Sequence, residues 1–151
     1  MSSNVDFNTL LVPVDFSDNS KAAFAKATAL ARGDSPVIIL LHVIDATLAQ
    51  LAESHRLGSY DDIVHRMRER AETQMQQYVA AAPDEIEVDS IISTGIPFLE
   101  ILQKSDDFAV DAIVMSKVSR RDDVEDLLFG STAEKVLRGS TKPVLVLPSG
   151  D

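Results

Sequence analysis

Two short segments of this sequence place residues suited to holding a phosphorylated small molecule. The first is Val12-Pro13-Val14-Asp15, where a carboxylate directly follows an apolar run. At a strand tip, such a carboxylate can accept a ribose hydroxyl or contact Mg²⁺. It can equally serve as a turn or capping group for the helix that Ser17, Asp18 and Asn19 introduce. The second segment is Gly130-Ser131-Thr132-Ala133-Glu134. The free N–H groups of a helix start, aided by two hydroxyls, can hold phosphate there. The competing reading makes Ser131-x-x-Glu134 a capping box, which satisfies those N–H groups internally. Lys117, Arg120 and Arg121 can also meet a phosphate. However, Asp122, Asp123, Glu125 and Asp126 follow at once, three positive charges against four negative, so this loop is no clear anion trap.

Catalytic sets are not evident. His42 lies inside an apolar run and reads as a core or tip histidine with a backbone partner. His55 and His65 do not have the i, i+4 spacing of a helical metal pair. There is no GxSxG elbow, no P-loop and no GxGxxG. The chain has no cysteine, which excludes disulfides, thiolate metal sites and cysteine nucleophiles and fits a reducing cytoplasm. A net charge of −10 repels nucleic-acid phosphates and anionic lipid. Arg66, Arg68 and Arg70 alternate with Glu69 and Glu72, as on a solvated helix face. No signal peptide and no membrane-spanning run is expected.

These tips need a scaffold. At 151 residues, 45% hydrophobic and 25% charged, the chain fits one domain over 1–151, with a core over about 7–148. Short continuous apolar runs at 10–14, 37–43, 110–115 and 143–147 suit strands covered on both faces. The stretch 86–92 is a fifth, partly alternating candidate for an edge. Helical patterns occupy 20–32, stopped by Gly33, then 61–82, 97–103 and 131–138. The stretch 46–60 reads as a long connection. Strands alternating with helices predict a five-stranded parallel sheet with right-handed crossovers. Its carboxyl tips are Asp15, Asp45, Gly95 and Ser116.

Six pieces of the chain stand in an order and spacing that resemble the universal stress protein family. They are Leu11-Val12-Pro13-Val14-Asp15-Phe16-Ser17, Leu41-His42-Val43-Ile44-Asp45, Gly95-Ile96-Pro97, Asp111-Ala112-Ile113-Val114-Met115, Gly130 to Arg138, and Lys142 to Leu147. The resemblance covers about residues 7 to 148. It implies a Rossmann-like fold of the adenine nucleotide alpha hydrolase-like type, strand order 3-2-1-4-5, with helices on both faces. It also implies a crevice for ATP or AMP, with Mg²⁺. By matching position, Pro13, Val14 and Asp15 line the nucleotide and Asp15 contacts Mg²⁺. Val43 touches adenine, and Gly130, Ser131 and Thr132 take the phosphates.

The family's ATP motif is G-x2-G-x9-G-[ST]. Here Ser116 and Ser119 stand at the first two glycine positions, and ten residues rather than nine precede Gly130. Serine adds a Cβ where glycine permits close approach to phosphate. The expectation is therefore a non-catalytic, cytoplasmic, dimeric stress-response protein, with at most very slow ATP hydrolysis and a crevice of altered motif. Its dimer pairs through Val144, Leu145, Val146 and Leu147, and it has a further protein partner of unknown identity. The alternative is a nucleotide-free dimeric interaction module. A phospho-accepting receiver domain also carries an Asp after its first strand. It needs a second Asp after the third and a Lys after the fifth, where this chain has Ser93-Thr94-Gly95 and Pro148-Ser149.

Overall fold

A computed structural model describes residues 7–117 and 130–148. The elements follow as β1 (Thr9–Pro13), α1 (Asp18–Leu30), β2 (Val37–Asp45), α2 (Ala46–Ser54), α3 (Tyr60–Ala81), β3 (Glu87–Gly95), α4 (Pro97–Asp107), β4 (Ala112–Ser116), α5 (Ser131–Gly139) and β5 (Val144–Leu147). All pairings are parallel, and the order is β3-β2-β1-β4-β5. The expected sheet and strand order are both found.

The alternation of side chains along each strand splits the core into two layers. Leu10, Val12, Ile38, Leu40 and Val114 face α1 and α3, meeting Phe24, Ala27, Met75 and Tyr78. Leu11, Ile39, Leu41, Ile113 and Met115 face α4 and α5, meeting Ile101, Ala133 and Val136. Because both faces are covered, the central strands read as unbroken apolar runs rather than as alternating ones. The reversal of strand order lies between β1 and β4, which opens a crevice beyond their carboxyl ends.

Two local expectations are corrected. The stretch 46–60 is not a structureless connection: Asp45 caps α2, its Oδ1 accepting from Thr47 N at 2.9 Å and Leu48 N at 3.4 Å. The turn after α1 also differs. The helix ends at Leu30 with Ala31 extended, while Gly33, at φ +107°, serves the following turn. An L residue at Gly33 meets a second obstacle, because its Cβ would stand 2.6 Å from Asn8 Nδ2.

The two sheet edges differ in character. β3 exposes Glu87, Asp89 and Ser90, and Arg68 of α3 donates to Ile92 O at 3.3 Å and Thr94 Oγ1 at 3.0 Å. β5 consists entirely of apolar residues, with Leu145 exposed and Val144, Val146 and Leu147 half-buried.

Candidate functional site

At the tip of β1 the chain reverses sharply. Val14 N donates to Leu41 O at 2.8 Å, prolonging the sheet by one bond. Phe16 then takes φ 70°, a left-handed conformation uncommon for a bulky residue. The reversal lets Ser17 cap α1, its hydroxyl accepting from Ser20 N at 3.1 Å. Asp15 is therefore not the cap. Its Oδ1 accepts from Ser17 N at 3.1 Å and from the buried Ser20 hydroxyl at 2.6 Å.

Phe16 stacks on His42, with ring centroids 4.3 Å apart. His42 Nδ1 lies 2.8 Å from Val14 O, the backbone partner expected from the sequence. That carbonyl can only accept, so Nδ1 carries the proton. Burial lowers the His42 pKa, against smaller upward pulls from the Val14 carbonyl and the Asp15 carboxylate. The unfolded chain therefore binds this proton more tightly than the folded one. The stabilising contribution is complete above the unfolded value of about 6.5 and is lost as pH falls below it toward the lower folded value. His42→Gln is expected to flatten the fall of the urea midpoint as pH drops below about 6.5. An unchanged slope would contradict this account.

On the opposite wall, backbone bonds bring α5 to the end of β4. Lys117 N donates to Leu147 O at 2.7 Å, and Gly130 N donates to Lys117 O at 2.8 Å. Gly130 is the N-cap of α5, and no side chain caps this helix. The expected capping box is absent, because the helix starts one residue before that pattern requires. Ser131 is already the first helical residue, and Glu134 turns away to pair with Arg138 at 2.8 Å. The N–H groups of the first turn thus remain available to a ligand, with the partial positive charge of the helix end behind them.

Between these walls lies a cleft of about 330 Å³. Of the residues expected at the site, Pro13, Val14, Asp15, Val43, Ser116, Gly130, Ser131 and Thr132 all line it. Ser119 lies outside the described residues, as do Arg120, Arg121 and the acidic stretch after them. Sequence reasoning missed Ser20, Leu48, Met67 and Ile101, which also line the cleft. Leu48 and Met67 reach it from α2 and α3, whereas the periodicity of 61–82 places Met67 only on a core-facing stripe. Among the described residues, no group of three or more His, Asp or Glu side chains is arranged to hold a metal ion. No described helix is long and apolar enough to cross a membrane.

Comparison with known proteins points one way. The family model described as "Universal stress protein family" matches residues 6–148. Universal stress protein MJ0577 of Methanocaldococcus jannaschii is 29% identical, over 95% of this chain and 96% of that protein. A universal stress protein of Thermus aquaticus is also 29% identical, over 93% of this chain and 98% of its own. Among solved structures, MJ0577 superposes with a TM-score of 0.83, covering 96% of this chain and 98% of that one. UspA from Lactobacillus plantarum superposes at 0.72 with 27% identity, covering 95% and 99%. A universal stress protein solved in complex with cAMP shares the fold at a TM-score of 0.62 and 19% identity, covering 96% and 99%.

Proposed function

Since the chain belongs to the universal stress protein family, we propose that it is a single-domain, non-catalytic, dimeric protein that binds an adenine nucleotide, ATP or AMP, at the β1/β4 crevice. The observation that carries this reading is the uncapped start of α5 facing the Asp15 tip across one cleft. The cleft volume falls at the lower end of the range for small-molecule sites, about 300–1,000 Å³. In this reading Gly130, Ser131 and Thr132 hold phosphate through N–H and hydroxyl donors. Asp15 takes a ribose hydroxyl, and Val43 lies against the base with Pro13 and Val14. Lys117, also on the cleft wall, adds positive charge near the phosphates. The cAMP bound by one distant relative is consistent with a nucleotide ligand. Mg²⁺ would come with ATP, held by phosphate oxygens and water more than by the protein. Hydrolysis is at most very slow in this reading. The protein is expected to work in the cytoplasm, with a further protein partner.

Ser116, on the cleft wall, and Ser119, at the second glycine position of the family's motif, are expected to weaken this binding in comparison with a site carrying glycine at both positions, because serine adds a Cβ where glycine permits close approach. The variant Ser116→Gly/Ser119→Gly, with one residue deleted between positions 120 and 129, is expected to tighten Mg-ATP binding by about tenfold, or ~1.4 kcal/mol. Titration calorimetry on wild type and variant measures it. Unchanged affinity would show that the phosphates lie elsewhere. Absence of binding in both proteins would favour the nucleotide-free interaction module.

A further inference from the structure

Ser20 is buried, with only 2% of its surface exposed, although it lies in the first turn of α1 and lines the cleft. Its hydroxyl makes a reciprocal pair with Asp15. Asp15 N donates to Ser20 Oγ at 3.0 Å, and Ser20 Oγ lies 2.6 Å from Asp15 Oδ1. The direction of the second bond is fixed, because an ionised carboxylate only accepts and the hydroxyl must donate. Asp15 Oδ1 also accepts from Ser17 N at 3.1 Å. An sp² carboxylate oxygen has two lone pairs, so Oδ1 is fully engaged and Oδ2 is the oxygen left for a ligand.

We propose that Ser20 is a positioning residue of the crevice: it locks the Asp15 carboxylate so that Oδ2 alone meets the ligand, as a single acceptor for one ribose hydroxyl. The proposal rests on the nucleotide reading and deepens it by assigning how the sugar is recognised. While Ser20 and Ser17 occupy Oδ1, any Mg²⁺ contact of Asp15 is confined to the same single oxygen, Oδ2, that serves the sugar. The burial of Ser20 shields its hydroxyl from water, and its position on α1 ties the exposed Asp15 carboxylate to a rigid element.

The test is calorimetric titration of ATP, 2′-deoxy-ATP and 3′-deoxy-ATP, each with Mg²⁺, into wild type, Ser20→Ala, Asp15→Asn and the double variant. Wild type is expected to prefer ATP over at least one deoxy analogue. Ser20→Ala should bind ATP about tenfold more weakly and lose most of that preference. The double variant should be no weaker than Asp15→Asn alone, because the serine acts through the carboxylate. A structural effect of Ser20 would weaken all three nucleotides equally and leave the preference intact, which would overturn the proposal. A wild type with no preference among the three would overturn it too. If Ser20→Ala does not fold, Ser20→Cys keeps the volume with a weak donor and should show the same loss. A wild type that binds none of the nucleotides overturns the nucleotide reading itself. Normal ATP binding with an unaffected Ser20 variant overturns only the role given to Ser20.

Discussion

Gly130→Val is expected to abolish Mg-ATP binding, a loss of more than about 100-fold or ~2.7 kcal/mol. The reason is steric and local. Gly130 sits at φ −63° and ψ 152°, a region open to any L residue, so valine needs no backbone change there. Its N–H continues to reach Lys117 O, because that bond does not involve the side chain. What changes is the space in front of the first turn of α5. Two methyl groups would stand where a phosphate must approach the N–H groups of Ser131, Thr132 and Ala133. A poorer N-cap adds a stability cost of about 1 kcal/mol, which thermal melting can separate from the binding loss. A folded Gly130→Val protein that binds ATP with unchanged affinity would contradict the assignment of this helix start to the phosphates.

Val146→Lys is expected to convert the proposed dimer into a monomer or into insoluble protein. An open sheet edge presents unpaired N–H and C=O groups, and an apolar one invites pairing. This chain treats its two edges differently. At β3, acidic side chains and the Arg68 guanidinium occupy the edge. At β5, Val144 to Leu147 offer only apolar side chains, with Leu145 at 38% exposure. A twin using the same strand gives a closed, two-fold arrangement. Val146 also packs against the α4/α5 layer of its own core, so a lysine there leaves a charge without a partner, costing several kcal/mol, which is why insoluble protein is the second outcome. Light scattering at micromolar concentration decides the point: a wild type that runs as a stable monomer would contradict it.

The strands were legible because the sheet is covered on both faces. Leu10 to Val14 and Val37 to Val43 carry almost no polar interruption, and short unbroken runs of this kind suit strands buried on both sides. α2 was not legible. It is nine residues long, buries only Ala49 fully and exposes Leu48 and Leu51, so its periodicity points to no single face. Its signal was Asp45, which reads as a strand tip and a helix cap at once. The start of α5 misled for a related reason. Ser131 and Glu134 have capping-box spacing, but the pattern is silent on which residue leaves helical geometry, and Arg138 competes for Glu134. The tip residues of the site were legible because topology forces them together. Ser20 was not, since its bond to Asp15 depends on the left-handed turn at Phe16, and no glycine marks that turn.

The measurement that bears most directly on the account is the melting temperature of the purified wild-type protein, freed of bound nucleotide, across a titration with Mg-ATP. A saturable rise is expected. At a ligand concentration 100 times the dissociation constant, the stabilisation should reach about 2.7 kcal/mol, with half-saturation well above nanomolar. A melting temperature that does not move up to millimolar Mg-ATP, with no adenine absorbance carried by protein taken directly from cells, would contradict it.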